Sequence, residues 1–581
     1  MNLIGGISKA YKILIKKQKL YLSIIFCFLI ITMLLEVFSI ALIIPISEAF
    51  FNQENMMIVK FKDIINNLFT FTANYNFLTI LVLFVITFFI IKFILLILIN
   101  ILQSRFIFKI FTEISERLIS KYLNLDLLKF NTKSVGELTR NINSEPAVFI
   151  NQFSINIIIL FKEFLIFLGI ISFLLINSAK LTIFIILITL IISLIFILIT
   201  SNFQIRLGSK RLNNDGKRLN TIIKIINGFK VIKIFQLKNF FLKEFIYYNK
   251  TMMNIGVKQN FIKSFPKFYI ELVMVIALIS MFIFFKKNET QYSEIISSMS
   301  LILVSALRLM PVIKNINISY SGVLAGLPSV ELIYRDLSQI EEKNLKIKNT
   351  NDLNFENKIV LSDISFKYEN SQKWIFKNLN LEIKKFKSIG LVGESGSGKT
   401  SFINIIMGLI NPNGGKVLID EIELNKHLNS WQNKIGLIPQ EAFLIDDTIK
   451  NNICLGVKED KIDEQKLNKI IHDVKLETLI QEKEKGLDQK IGENGKNLSG
   501  GQKQKISIAR ALYFDREILV FDEPTSSLDK ENQQEVHKAI NNLIGKKTII
   551  LISHKKELLE NFDKIYNVSD KKLKLLSFKD I

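Results

Sequence analysis

Residues 387–401, KSIGLVGESGSGKTS, place an apolar strand, a glycine-rich loop and the start of a helix in immediate succession. In this arrangement, backbone N–H groups of the loop curl around phosphate oxygens at a helix N-terminus. Lys399 supplies a positive charge near the terminal phosphates, and Thr400 supplies a hydroxyl for Mg²⁺. A chance match is expected in only about a few per cent of chains of this length. The alternative of a flexible Gly/Ser turn is therefore weak, and the stretch predicts an α/β domain that binds ATP.

A second stretch ends in two carboxylates. Residues 517–521 are apolar after Glu517 and are followed by Asp522 and Glu523. An apolar run that ends in two acids is common in isolation, but this one follows a phosphate-binding loop in the same α/β pattern. We predict that Asp522 holds Mg²⁺, mostly through water, and that Glu523 polarises the attacking water as a general base.

Between these stretches, residues 498–502, LSGGQ, resemble the signature peptide of ATP-binding cassette (ABC) proteins, and the resemblance spans the C-terminal domain. It implies that Tyr368 stacks on adenine, that Gln440 senses Mg²⁺ and the membrane domain, and that His554 contacts the γ-phosphate. Taken singly, each could be an ordinary core or surface residue, but their order and spacing favour the functional interpretation. Lys503 and Lys505 depart from the family pattern, in which Arg is commoner.

The resulting predictions name three sets of residues. The catalytic residues are Glu523, His554 and Gln440. The Mg²⁺ ligands are Thr400, Gln440 and Asp522. The ATP-binding residues are Tyr368, Gly393, Glu394, Ser395, Gly396, Ser397, Gly398, Lys399, Thr400, Ser401, Ser499, Gly500, Gly501 and Gln502. In the family, the signature of one copy closes over ATP held by another copy, so the resemblance implies a homodimer with two ATP molecules between the subunits.

The composition of the 581-residue chain indicates a membrane segment joined to a soluble one. The chain has 49% hydrophobic residues, 22% charged residues and a formal charge of +22, which suggests that apolar and charged residues are segregated. Six apolar runs occupy the first 320 residues, at about 20–46, 77–102, 153–176, 181–201, 268–285 and 295–318, and most reach the ~20 residues that cross a bilayer. Segments 1–19 and 202–267 are strongly basic and are expected inside.

This organisation excludes several classes of protein. Two cysteines far apart exclude a disulfide scaffold and make a structural zinc site improbable. The basic charge is that of cytoplasmic loops, so no nucleic-acid partner is expected. We predict a six-helix membrane domain with long cytoplasmic extensions (1–334), a linker (335–352) and an α/β P-loop nucleotide-binding domain (353–581). The resemblance implies an exporter-type half-transporter, with coupling helices near 127–141 and 213–226.

The cargo is inferred from charges within the apolar runs. Lys92, Arg308 and Lys267 are expected to face a substrate cavity, because charges at such depth are unfavourable unless they are paired or hydrated. Three cations, doubled in a dimer, would suit a diphosphate head group. The alternative is that they form structural ion pairs with Glu36, Glu163 or Glu271, and the sequence leaves both interpretations open.

Segments EVFSIAL (36–42), PKFYIE (266–271) and RLMP (308–311) resemble the PglK-type flippases of bacterial protein glycosylation. The resemblance implies a polyprenyl-diphosphate-linked oligosaccharide as cargo and a short external helix near 57–69. Lys92 and Lys267 stand where that family tends to have Arg, which keeps the charge but loses bidentate phosphate geometry.

We therefore expect an ATP-hydrolysing exporter of an amphipathic anionic substrate, located in the inner membrane with its nucleotide-binding domain in the cytoplasm. Two alternatives remain. One is an exporter of another lipid, a drug or a peptide. The other is an ATP-gated channel or regulator, against which the intact Glu523 and signature argue.

Overall fold

The computed structural model describes residues 2–42, 77–287, 292–344, 353–369, 371–526 and 528–580. The chain divides into two compact units. The first comprises Met1–Leu125 and Lys129–Lys343, and the second comprises Asp126–Leu128 and Asn344–Ile581. Residues 57–69, where an external helix was predicted, lie outside the described residues.

Helices account for nearly all of the described chain up to Asn344. They are α1 (Leu3–Ile13), α2 (Lys16–Ala41), α3 (Phe77–Leu123), α4 (Leu127–Asn131), α5 (Val135–Thr139), α6 (Glu145–Val148), α7 (Ile155–Asn227), α8 (Phe229–Ile234), α9 (Lys238–Lys287) and α10 (Tyr292–Asn344). Two π-helical turns, Arg140–Ser144 and Phe149–Ser154, flank α6. Two short helices, α4 and α5, therefore occupy the first predicted coupling region.

Several of these helices could span a bilayer. Within the described residues, five segments are long and apolar enough: Lys16–Ala41, Leu81–Leu123, Val135–Ile176, Ile191–Asn227 and Arg308–Ser338. The remaining predicted run, 268–285, lies within α9.

Two expectations about helix ends are corrected. The third apolar run from Ile155 onward and the whole fourth run lie in α7, whose backbone is helical without a break, so no helix end separates the two runs. The residues between the runs, Asn-Ser-Ala-Lys at 177–180, include neither Gly nor Pro to end a helix.

The helix α10 continues to Asn344, so residues 335–344 of the predicted linker are helical. Residues 345–352 lie outside the described part of the chain.

The first unit has a core beyond its apolar runs. Ile114 and Leu118 of α3 pack with Val330 and Ile333 of α10, all buried. These helices continue past the apolar runs because they keep an apolar face at helical spacing.

The second unit contains two sheets. Their strands are β1 (Lys358–Phe366), β2 (Phe376–Lys384), β3 (Ser388–Val392), β4 (Gly414–Ile419), β5 (Ile422–Glu423), β6 (Ile435–Ile438), β7 (Ile518–Asp522), β8 (Thr548–Ile552), β9 (Lys564–Ser569) and β10 (Lys572–Leu576). The smaller sheet is antiparallel, in the order β2-β1-β4-β5. The larger has the order β10-β9-β3-β8-β7-β6 and is parallel except for β10 at its edge.

Helices cover this larger sheet. They are α11 (Lys399–Ile406), α12 (Leu428–Gln432), α13 (Ile449–Ile453), α14 (Glu464–Asp473), α15 (Glu477–Gln481), α16 (Gly500–Tyr513) and α17 (Lys530–Asn541). Alternate residues of β7 enter different cores: Ile518 and Val520 join one apolar cluster, and Leu519 and Phe521 join the other. A strand buried on both faces needs this continuous apolar sequence. Because β8 lies between β3 and β7 and all three are parallel, the carboxyl ends of β3 and β7 meet at one edge, which is where α/β sheets bind ligands.

Candidate active site

The glycine-rich loop, residues 393–398, joins the carboxyl end of β3 to the first residue of α11. Gly393, Gly396 and Gly398 have φ values of +144°, +82° and +108°, which L residues with a Cβ rarely adopt. At Gly398 a Cβ would also lie 2.4 Å from Cγ2 of Ile375. The backbone of this loop therefore depends on glycine both for its dihedral angles and for space.

Lys399 lies inside the curve of this loop. Its Nζ donates to the carbonyl oxygens of Gly393 (2.7 Å) and Glu394 (3.0 Å), and the residue is buried. Burial lowers the pKa of Lys399, while the nearby Glu523 and Asp522 act in the opposite direction. The carboxylates at the end of β7 are thus close enough to the lysine to affect its ionisation.

Asp522 and Glu523 occupy the carboxyl end of β7 as the sequence predicts. Burial and the neighbouring Glu523 raise the pKa of Asp522, and Lys399 opposes this rise. Glu523 has φ +48°, and its N–H donates to the carbonyl oxygen of Ile552 at 3.1 Å. Its Oε1 lies 3.3 Å from Nε2 of His554. The structure therefore brings together Lys399, Asp522, Glu523 and His554 from three parallel strands.

Gln440 follows β6 and is oriented by two neighbours. Its Nε2 donates to Oγ of Ser526 at 3.2 Å. Its own carbonyl oxygen and that of Pro439 both accept hydrogen bonds from Nε2 of Gln504, at 2.8 and 3.0 Å. Gln504 is buried on α16. It fixes the backbone that carries Gln440.

Sequence reasoning missed Gln504. A signal was present, because Gln504 lies three residues after Gly501 and four before Ile508, on the buried face of α16. A polar side chain at such a position needs a hydrogen-bond partner inside the protein.

Tyr368 lies near the start of α11. Its hydroxyl is 2.9 Å from Oγ of Ser401, and its ring packs edge-on against Phe366 at 5.1 Å between centroids. The residue is 39% exposed, which leaves it accessible for stacking on a base.

The signature residues form the start of α16. Ser499 caps the helix: its Oγ accepts from the N–H of Gln502 at 3.2 Å, and its N–H donates to Oε1 of Gln502 at 2.9 Å. A Cβ on Gly501 would lie 2.3 Å from Oδ1 of Asn532. In the described ranges, no hydrogen bond or ion pair connects residues 499–502 with residues 393–400. The two predicted halves of the ATP site are not joined in this way within one chain.

The predicted Mg²⁺ ligands are all oxygen donors: the hydroxyl of Thr400, the carboxamide oxygen of Gln440 and the carboxylate of Asp522. The described residues contain no cluster of three or more His, Cys, Asp or Glu that could hold a metal. A single carboxylate with neutral oxygens suits Mg²⁺, which keeps several waters and binds with nucleotide phosphates rather than in a closed protein cage. The donor set therefore fits the ion.

Two of the three predicted cavity cations meet at one carboxylate. Nζ of Lys92 lies 2.9 Å from Oε2 of Glu36 and donates to Oγ of Ser39 at 3.1 Å. NH1 of Arg308 lies 3.6 Å from the same oxygen of Glu36. The Lys92 side chain is 6% exposed, whereas that of Arg308 is 45% exposed. Lys267 is exposed on α9, and no ion pair is recorded for it in the described part of the chain.

This arrangement gives two of the three predicted cavity cations a carboxylate partner. Lys92 has the structural ion pair that the sequence left open, with Glu36 as its partner. Arg308 shares that partner at a longer distance and remains half exposed. Glu163, another suggested partner, pairs instead with its neighbour Lys162 at 3.1 Å.

Two family matches cover about three quarters of the chain. Residues 376–526 match the family ABC transporter, and residues 22–307 match the family ABC transporter transmembrane region. The chain belongs to the ABC transporters. A solved structure of a bacterial Atm1-family ABC exporter with ATP bound has the same fold, with a TM-score of 0.79 and 18% identity over 95% of each chain.

Several curated relatives of similar sequence are named as lipid flippases. The ATP-dependent lipid A-core flippase of Desulfotalea psychrophila is 27% identical over 88% of this chain and 89% of its own length. The flippase of the same name from Escherichia coli K12 is 26% identical over 80% of this chain and 79% of its own length. These relatives support the ABC exporter family without pointing specifically to the PglK type.

This ABC transporter therefore combines a multi-pass membrane region with one ATP-binding domain, the organisation of a half-transporter. Its fold is that of the ABC exporters. It binds ATP and couples ATP hydrolysis to transport.

Proposed function

We propose that this ABC transporter is a homodimeric flippase that moves an amphipathic anionic lipid from the inner to the outer side of the cytoplasmic membrane. The observation that carries the proposal is the half-exposed Arg308 beside the Lys92–Glu36 ion pair, on membrane helices of a chain that also contains an ATP site. The names of the curated relatives, which are flippases of a lipid, support the same class of cargo.

In the ATP site, the loop 393–398 and Lys399 bind and orient the phosphates. Glu523 accepts a proton from the attacking water, and His554 lies beside it at 3.3 Å. Mg²⁺ held by Thr400, Gln440 and Asp522 would neutralise charge on the phosphates. The exposed Tyr368 stacks on the adenine.

A second copy completes this site. Residues 499–502 form a capped helix start whose Ser499 and Gln502 bond to each other. Backbone N–H groups at such a start favour phosphate oxygens. In the proposed dimer, each copy presents this start to ATP on the other copy, and the nucleotide-binding domains lie in the cytoplasm.

For the cargo, we propose a polyprenyl-diphosphate-linked oligosaccharide. Arg308 is half exposed, always charged and able to bind phosphate with two parallel hydrogen bonds. Lys92 is buried and acts on the cargo only through Glu36. A lipid A-core molecule is the second candidate, because the relatives carry that name.

Glu523→Gln tests the ATP site. The substitution should lower ATP turnover by about 10²- to 10⁴-fold, while binding of labelled ATP to the purified full-length protein persists. Glu560→Gln, at an exposed position of the same domain, is the matched control and should hydrolyse normally. Near wild-type turnover by the Glu523 variant would remove Glu523 from the role of general base.

Transport in proteoliposomes tests the cargo. ATP-dependent translocation should be measured with labelled polyprenyl-diphosphate oligosaccharide, with lipid A-core and with a simple phospholipid. The proposal expects the first to move and Arg308→Gln to slow it while ATP hydrolysis continues. Movement of lipid A-core alone would select the second candidate. Movement of neither glycolipid, or ion currents through a reconstituted bilayer, would contradict the flippase proposal.

A further inference from the structure

A groove of about 350 Å³ lies between the start of α2 and α3 where its apolar run ends. Tyr21, Ile24 and Phe28 of α2 line it together with Leu102 and Phe106 of α3. The rings of Tyr21 and Phe106 lie 6.0 Å apart. This wall is apolar, so the groove can accommodate a hydrocarbon chain.

The two helices run antiparallel here, which fixes the order of polarity along the groove. Gln18 donates to the carboxylate of Glu113, and further along Tyr21 packs against Phe106. Residue numbers therefore rise along α2 as they fall along α3. Because the apolar run of α3 ends near residue 102, one end of the groove lies in the apolar segment and the other lies beyond it.

The polar end carries an excess of positive charge. Lys17, Arg105 and Lys109 line it and are exposed. Glu113 is the single acidic residue among the described residues that line the groove, and it accepts a hydrogen bond from Gln18. No ion pair is recorded in the described ranges for Lys17, Arg105 or Lys109. Three cations therefore face one acid.

We propose that this groove binds an anionic phospholipid of the surrounding bilayer. Its head group lies against Lys17, Arg105 and Lys109, and an acyl chain lies along Tyr21, Ile24 and Phe28. Basic pockets between membrane helices on the cytoplasmic side bind acidic lipid head groups in this way. A soluble anion has no acyl chain to contact the apolar side chains of the groove. A zwitterionic lipid has no net charge, so its electrostatic attraction to the three cations is weaker.

This lipid is distinct from the transported cargo. The groove is lined by Ile15 and by residues of α2 and α3, whereas the proposed cargo cations Arg308 and Lys92 meet at Glu36, farther along α2. Binding at the groove requires neither ATP nor transport.

Photo-crosslinking tests the proposal. The full-length protein is placed in phosphatidylcholine nanodiscs with a trace of phosphatidylglycerol whose acyl chain carries a photoactivatable group, and labelling of peptides containing residues 15–28 and 102–113 is measured. The triple variant Lys17→Gln/Arg105→Gln/Lys109→Gln should lower the apparent affinity for this lipid by about 100-fold. The matched control, Lys243→Gln/Lys250→Gln/Lys258→Gln on the exposed face of α9, removes the same charge and should label as the wild type.

A second variant separates the groove from general attraction to the membrane surface. Ile24→Trp fills the apolar wall without changing charge and should also reduce labelling of these peptides. Labelling of wild-type protein by a matched phosphatidylcholine probe should be much weaker. Undiminished labelling of the triple variant, equal labelling by phosphatidylcholine, or undiminished labelling of Ile24→Trp would each overturn the proposal.

Discussion

Glu36→Gln should destabilise the membrane unit chiefly through its effect on Lys92. The Lys92 ammonium is 2.9 Å from Glu36, and its side chain is only 6% exposed. The substitution keeps the shape of residue 36 but removes its negative charge, which leaves the buried ammonium with only neutral neighbours such as the Ser39 hydroxyl at 3.1 Å and the Phe89 ring at 5.6 Å. Breaking a buried pair in this way costs about 3–5 kcal/mol. Because the Ser39 hydrogen bond persists, we expect about 3 kcal/mol.

A double-mutant cycle measures this effect directly. Unfolding of the full-length protein by SDS in mixed micelles is followed for the wild type, Glu36→Gln, Lys92→Met and the double variant. The coupling energy between Glu36 and Lys92 should be about 2–3 kcal/mol. The parallel cycle with Arg308→Gln should give less than about 1 kcal/mol, because Arg308 is 45% exposed and its nitrogen is 3.6 Å from the carboxylate.

Glu271→Gln is the control, since it makes the same chemical change at an exposed position of α9. It should alter stability by about 0.5 kcal/mol or less. Equal coupling energies for Lys92 and Arg308, or a Glu36→Gln protein as stable as the wild type, would refute the distinction between a buried structural cation and an exposed functional one.

Two further substitutions test the nucleotide-binding domain. Burial and Glu523 raise the pKa of Asp522 above its value in the unfolded chain, so the folded protein binds this proton more tightly than the unfolded chain does. The stability that the bound proton contributes is fully present below the unfolded pKa and is lost as pH rises through the folded pKa. The melting temperature of the nucleotide-free wild type should therefore fall relative to that of Asp522→Asn as pH rises, and a difference that does not vary with pH would contradict this. Gln504→Leu removes two hydrogen bonds to the backbone at Gln440, worth about 1 kcal/mol each. The Gln504→Leu variant should lose more ATP hydrolysis than ATP binding. Gln481→Leu, at an exposed position, is its control. Unchanged hydrolysis would show that Gln504 does not position Gln440.

The ATP site was predictable to the extent that its parts are local. The strand before Gly393 and the strand before Asp522 are each recognisable from a few adjacent residues, and parallel pairing brings their ends to one edge of the sheet. Gln504 was missed because its partners, the carbonyls of Pro439 and Gln440, are more than 60 residues away in sequence. Local patterns show which strand end carries a functional group, but they do not show which distant side chain fixes it.

In the membrane helices, too, local sequence patterns show only part of the structure. Their apolar runs could be located from composition, because about 20 apolar residues in a row have few stable alternatives to a membrane helix. The absence of Gly or Pro at 177–180 was equally visible, yet the continuity of α7 across that segment appeared only in the structure.

By itself, the sequence determined the chemical inventory of this ABC transporter: an apolar helical part, a phosphate-binding loop, a carboxylate pair after a buried strand and a few charges within the apolar runs. Tertiary structure decided which of those charges are partners. Lys92 and Arg308 converge on Glu36 although 216 residues separate the two cations in the chain. A charge in an apolar environment must find an opposite charge or water, and which of these it finds depends on how three helices pack.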